Sequence, residues 1–260
     1  MFSLSASSLS GLPEIRAGDD LAALIFAAAG DGRLLHDGQI VAIAHKAVSK
    51  AEGAVVDLST VIPGERARAL AQEQGKDARA VQVVLDESAE IVRAGRSPIG
   101  SGVLICRTHH GFVCANAGVD ASNAGTGTDA ETLIVLPRDP DACARALRAR
   151  LLELTGATVA VLITDSFGRA WRHGQCDVAI GLAGMQPLDD WRGRTDARGL
   201  ELRATWLAVA DAAAATADLA RAKDSCQPVV LIDGLQRLVT PEDGPGALAL
   251  LRPLEEDLFR

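Results

Sequence analysis

Three short apolar runs constrain the fold of this chain more than any other feature. They are Gln39-Ile40-Val41-Ala42-Ile43-Ala44, Thr158-Val159-Ala160-Val161-Leu162-Ile163 and Pro228-Val229-Val230-Leu231-Ile232. Each is strand-length, rich in β-branched residues and bounded by polar or turn-forming residues, so each reads as a buried strand. Helical and strand patterns alternate around them without a regular βαβ rhythm, which points to a mixed α/β (α+β) fold. Residues 19–29 and 63–75 read as helices, the second with Pro63 in its favoured first turn. Residues 77–93 read as one helix, with Val81, Val84, Leu85, Ser88, Ile91 and Val92 on one face. Residues 103–107 and 112–115 bracket Thr108-His109-His110-Gly111 as a hairpin. A short strand over 131–136 precedes a helix that starts at Asp139-Pro140 and ends near Gly156. Residues 188–199 are polar and glycine-rich, 202–222 read as an Ala-rich helix, and a last helix is expected from Gly246. A boundary near 58–63 or 136–140 is compatible with the pattern. No internal repeat is evident.

With 260 residues, 48% of them hydrophobic, the chain can bury a full core. Its formal net charge of -8 argues against sequence-independent nucleic-acid binding, which needs clustered Lys and Arg. An acidic surface still permits a local basic pocket for a nucleotide. Five cysteines (Cys106, Cys114, Cys143, Cys176, Cys226) stand singly with no C-x-x-C pair, the pattern of reduced thiols in a cytoplasmic protein. The first residues lack a basic segment followed by an apolar one, and no apolar stretch reaches the roughly 18–20 residues of a membrane span. A cytoplasmic protein without a membrane anchor is expected.

Chemistry concentrates at Thr164-Asp165-Ser166-Phe167-Gly168-Arg169-Ala170-Trp171-Arg172-His173-Gly174-Gln175, read as a polar turn ending the second apolar run. A carboxylate and a hydroxyl there suit a hard cation, and two arginines suit phosphate oxygens. Asp165 or Ser166 equally suits a helix cap. Lys50, between Ser49 and Gly53, is placed to reach a phosphate or simply to face solvent. Asp120 and Asn123 lie in a small-residue loop, as metal and ligand contacts or as an Asx-type turn. Paired aspartates about 4 Å apart repel by roughly 4 kcal/mol at an effective dielectric near 20, a balance that a divalent cation reverses. There is no P-loop, no G-x-G-x-x-G after a strand and no G-x-S-x-G.

Leu12-Pro13-Glu14-Ile15, Val48-Ser49-Lys50-Ala51-Glu52-Gly53, Ala115-Asn116-Ala117-Gly118-Val119-Asp120-Ala121-Ser122-Asn123 and Thr164-Asp165-Ser166-Phe167-Gly168-Arg169 occur in this order. Together they resemble the coenzyme F420-0:L-glutamate ligases over roughly residues 10–235. The resemblance implies GTP-dependent amide formation between L-glutamate and the terminal carboxylate of coenzyme F420-0. It also implies two Mg²⁺ or Mn²⁺ sites, K⁺ as a further ion, and a fold of mixed sheets and packed helices with two subregions and an intertwined homodimer. Carried over by position, Leu12, Pro13, Glu14, Ile15, His45, Lys50 and Asn123 would contact GTP. Asp120 and Asp165 would hold one metal and Ser166 a second; many relatives have Thr at this last position. Relatives often have Ser where His45 stands, which implies a backbone contact. Asp120, Asp165, Lys50 and Arg169 form the expected catalytic set. Arg169 and Arg172 would grip substrate carboxylates or the phosphodiester, or else hold the loop. Phe167 and Trp171 would stack on the deazaflavin, or pack in the core. Ala212 stands where an acidic residue is expected, and Arg221-Ala222 where a Met-Gly pair is expected. Residues 1–260 are expected to form one catalytic unit without the nitroreductase-like domain that some relatives carry. The alternatives are a ligase for another amino acid or acceptor, and a GTP- and metal-binding protein without ligase activity.

Overall fold

In the computed structural model, which describes residues 3–96, 100, 102–121 and 131–257, the three apolar runs become adjacent strands of one sheet. In chain order the elements are β1 (Ser5–Ser8), α1 (Leu21–Ala28), β2 (Ile40–Ala44), α2 (His45–Glu52), β3 (Val55–Asp57), α3 (Glu65–Gln74), α4 (Ala78–Asp86) and β4 (Ser88–Arg96). There follow β5 (Gly102–Thr108), β6 (Val113–Ala115), β7 (Thr132–Ile134), α5 (Pro140–Thr155), β8 (Ala160–Arg169) and β9 (Arg172–Ala183). The last are β10 (Asp189–Asp190), β11 (Trp206–Leu207), α6 (Val209–Ala220) and β12 (Val229–Asp233). The central sheet has the order β1-β12-β2-β8-β9; β2 and β8 are parallel and the other neighbours antiparallel.

Both faces of this sheet are covered, which is why its inner strands are apolar throughout. Val41, Ile43, Val161 and Ile163 pack towards α1, α2 and α5, against Leu21, Ile25, Val48, Ala144 and Leu151. Ile40, Ala42, Leu162 and Ile232 face the other way, onto the alanine stripe Ala210, Ala213, Ala214 and Ala217 of α6. Each fully buried Ile, Leu or Val contributes about 1.5–3 kcal/mol, so these two layers dominate the stability. A separate core of Ala67, Ala71, Val81, Val84, Leu104 and Cys106 joins α3 and α4 to the β4-β5-β6 sheet. The β3–β7 pair packs with Leu58, Val83 and Val135. Among the described residues, no helix is long and apolar enough to cross a membrane.

Four sequence expectations need correction. Residues 164–169 are not a turn: β8 runs through them and turns at Ala170-Trp171 into β9. That hairpin leaves the double-sided core, so its side chains turn polar while the ladder continues. The helix expected over 77–93 ends at Asp86, and Ser88–Arg96 is a strand, because pairing with β5 overrides a local helical spacing. The helix expected from 202 begins at Val209, since Trp206-Leu207 pair with Asp189-Asp190. Among the described residues beyond Gly246 there are only the short 3₁₀ turns Ala247–Leu250 and Leu254–Glu256, flanked by Pro245 and Pro253.

Candidate active site

A cleft with a volume of about 410 Å³ opens at the carboxyl ends of the parallel strands β2 and β8, where Ala44 lies opposite Thr164. That size suits a nucleotide-sized ligand. Strand β2 runs directly into α2, whose N-cap Ala44 offers no capping side chain. Its first-turn N–H groups, at Ala44 to Ala47 in the cleft lining, are the kind of donors that helix N-termini present to anions. The His45 ring is 2% exposed, so a ligand would meet this residue through its backbone. Its Nε2 lies 3.3 Å from Asp165 Oδ1, within ion-pair distance, yet lacks hydrogen-bond alignment with any described residue. Lys46 and Lys50, one turn apart on α2, both line the cleft. Lys50 Nζ donates to Glu14 Oε1 at 2.6 Å, which ties α2 to the segment before α1.

Asp120 reaches the same cleft from the β6–β7 connection. Asn116, Ala117 and Gly118 take left-handed φ values of 51°, 54° and 73°, which turns the chain sharply after β6. The Asn116 side chain is pinned by Lys76, whose Nζ donates to its Oδ1 at 2.7 Å. Burial lowers the Lys76 ammonium pKa. Asp120 then exchanges both backbone hydrogen bonds with Ile134, at 3.0 and 2.8 Å, so its position is fixed by β7.

The floor of the cleft holds a constellation that sequence reasoning missed. Asp177 on β9 is 2% exposed. Its Oδ2 accepts from Thr164 Oγ1 at 2.8 Å and its Oδ1 from Ser166 Oγ at 2.6 Å. The Arg221 guanidinium, at the end of α6, closes on Asp177 and also donates to Thr164 Oγ1 at 3.0 Å and to the Pro228 carbonyl at 2.9 Å. Lys223 Nζ donates to Ser166 Oγ at 2.9 Å and to Asp218 at 2.6 Å, and stands 3.6 Å from Asp177. Burial alone lowers the Lys223 pKa, but the Asp218 hydrogen bond and the Asp177 charge raise it overall. The available signal was Asp177 itself, a carboxylate leading into the apolar run 178–183, because a buried acid requires a partner.

Of the residues singled out in the sequence, Pro13, Glu14, Ile15, His45, Lys50, Asp120, Asp165 and Ser166 all line this cleft. Leu12 packs instead against the main core. Arg169 is absent from the lining; its Nη2 donates to the His173 carbonyl at 2.6 Å and braces the hairpin. Phe167 packs edge-on to Phe112, with ring centroids 6.2 Å apart, whereas Trp171 is exposed at the hairpin turn. Asn123 lies outside the described residues.

The family model for F420-0:Gamma-glutamyl ligase matches residues 11–234. The chain belongs to this family. It is 42% identical over 259 residues, 99% of each chain, to the coenzyme F420:L-glutamate ligase of Methanothermobacter thermautotrophicus. It is 44% identical over 249 residues, 95% of this chain and 94% of the relative, to the protein of that name from Methanopyrus kandleri.

For the F420-0:gamma-glutamyl ligase fold, the two implied metal sites can be tested against these side chains. The first fits: Asp120 and Asp165 offer carboxylates to one cleft, beside the orphaned His45 Nε2. Among the described residues, no three His, Cys, Asp or Glu side chains form a cage. A cation here would therefore draw its remaining ligands from phosphates and water, as Mg²⁺ commonly does. The second does not fit. The Ser166 hydroxyl already donates to Asp177 and accepts from Lys223, and Ala212 brings no ligand atom. The neighbouring Asp211 accepts from the Ala179 N–H at 2.9 Å, and burial raises its carboxyl pKa.

Proposed function

We propose that this protein is a GTP-dependent ligase that joins L-glutamate to the terminal carboxylate of coenzyme F420-0. The observation that carries the reading is the convergence of Asp120, Asp165 and the uncapped start of α2 on one cleft. Backbone N–H groups of α2, with Lys46 and Lys50, would bind the triphosphate. Asp120 and Asp165 would hold Mg²⁺ or Mn²⁺, which when bound neutralises charge on the phosphates.

The coenzyme carboxylate oxygen attacks the γ-phosphorus of GTP, the bond to the β-bridging oxygen breaks, and GDP leaves. The glutamate amine then attacks the acyl phosphate carbonyl, the carbon–oxygen bond to phosphate breaks, and the amine loses a proton. Activation is needed because a bare carboxylate would expel a poor leaving group. The positive groups of the cleft are directed at the transferring phosphoryl, where charge develops. The family resemblance supports a homodimer formed from a single catalytic unit per chain.

The test is incubation with the unglutamylated coenzyme, L-glutamate, GTP and Mg²⁺ or Mn²⁺, read by mass spectrometry. The expected product is the coenzyme extended by a glutamyl residue, together with GDP and phosphate. Product with another amino acid only would redirect the reading to a related ligase. GTP binding without GDP release would make the protein a nucleotide-binding module.

A further inference from the structure

We propose that Lys223 is a fixed cation of the phosphate site, occupying the place of the expected second divalent ion, so that this chain engages GTP with one divalent ion. The inference rests on the GTP reading above. Ser166, the residue expected to hold the second ion, is bound on one side by the Asp177 carboxylate and on the other by the Lys223 ammonium. A hydroxyl has one proton and two lone pairs, so one lone pair remains for any further contact. A dication on that oxygen would face the Lys223 ammonium and the Arg221 guanidinium at close range, and like charges so placed repel strongly. The acidic side chains of α6 do not offset this: Asp211 is turned to the Ala179 N–H, Asp218 is held by Lys223 itself, and Ala212 brings none.

Lys223 is built for the substitute role. Asp218 and Ser166 engage two of its ammonium protons, while its side chain is 67% exposed and lines the cleft with a third proton to offer. Arg221 is a positioning residue: it locks Asp177 and Thr164 from the buried side, and Asp177 in turn orients Ser166.

Mn²⁺ bound per protein-bound nucleotide can be counted on the full chain by electron paramagnetic resonance titration with a non-hydrolysable GTP analogue. One ion is expected, with no spin coupling between ions. Two ions would overturn the inference while leaving the GTP reading intact; no nucleotide-dependent Mn²⁺ would overturn both. The exposed side chain allows Lys223→Met to fold. The variant is expected to lose about tenfold in affinity for the analogue while guanosine binding stays unchanged. Unchanged affinity for the triphosphate would also overturn the inference.

Discussion

Lys46 Nζ lies 2.6 Å from Asp120 Oδ2, an ion pair between the first turn of α2 and the turn that follows β6. It joins a residue proposed for the phosphates to one proposed for the metal, so the two halves of the cleft are electrostatically linked. Removing the lysine charge with Lys46→Met should raise Mn²⁺ affinity by roughly three- to tenfold, because the carboxylate loses a competing cation. Asp120→Asn should instead weaken Mn²⁺ binding by at least about tenfold, because a carboxylate ligand is lost. Isothermal titration of the variants checks both, and weaker Mn²⁺ binding in Lys46→Met would contradict the assignment.

The Asp177–Arg221 pair is buried, and truncating Arg221 leaves the Asp177 charge with only the more distant Lys223 ammonium, 3.6 Å away. Arg221→Met should destabilise the protein by about 3–5 kcal/mol. Asp177→Asn in the same chain should recover part of that loss, since the stranded charge is gone. Urea denaturation of the single and double variants gives the comparison; equal losses in both would show that the charge is not the cause.

Close packing between β9 and the start of α5 predicts a steric effect at Gly181. A Cβ there would come within 2.8 Å of the Pro140 ring and closer still to its carbonyl. Gly181→Ala should therefore lower stability by about 1–3 kcal/mol. Gly168, in the β8–β9 hairpin, has open space at the same atom and serves as the control. Thermal melts should show a drop for the first variant and little change for Gly168→Ala.

Helix α1 supplies a pH-dependent increment. Asp20 caps it, accepting from the Ala23 N–H at 3.0 Å, and this bond, aided by Arg150 and opposed by slight burial, holds its carboxyl below the ordinary 3.8. A depressed folded-state pKa gives stability that is present above 3.8 and lost as pH falls through the folded value. Asp20→Ala should cost about 1 kcal/mol near neutral pH. The gap to the parent protein should close below about pH 4, as followed by denaturant titrations across that range.

The strands β2, β8 and β12 were legible because a sheet covered on both faces writes its burial into every residue of the run. Helix α5 was legible through Asp139, Pro140 and Gly156, which mark both ends chemically. Helix α2 was not, because Ala44 gives no start signal and the helix is only eight residues long. Strand β4 was read as helix because Ile91 and Val92 fit a helical spacing as well as a strand; its partner β5 decides the matter from outside the local sequence. In the cleft, Asp165 and Ser166 stood out by their position after an apolar run. Asp177, Arg221 and Lys223 did not, since each looks ordinary until the hairpin and the end of α6 bring them together. Arg221 in particular appeared only as a departure from a Met-Gly pair.

The strand order has a consequence for how the molecule is made. Strand β12 sits between β1 and β2, so both early strands lack their shared neighbour until residue 233 has been synthesised. On the ribosome, Ile40–Ala44 can gain β8 on one edge once residue 164 is made, but its other edge stays open until β12 follows, and such long-range closure is intrinsically slow. The candidate cleft, whose rim runs from Pro13 to Pro228, is accordingly a late product of folding.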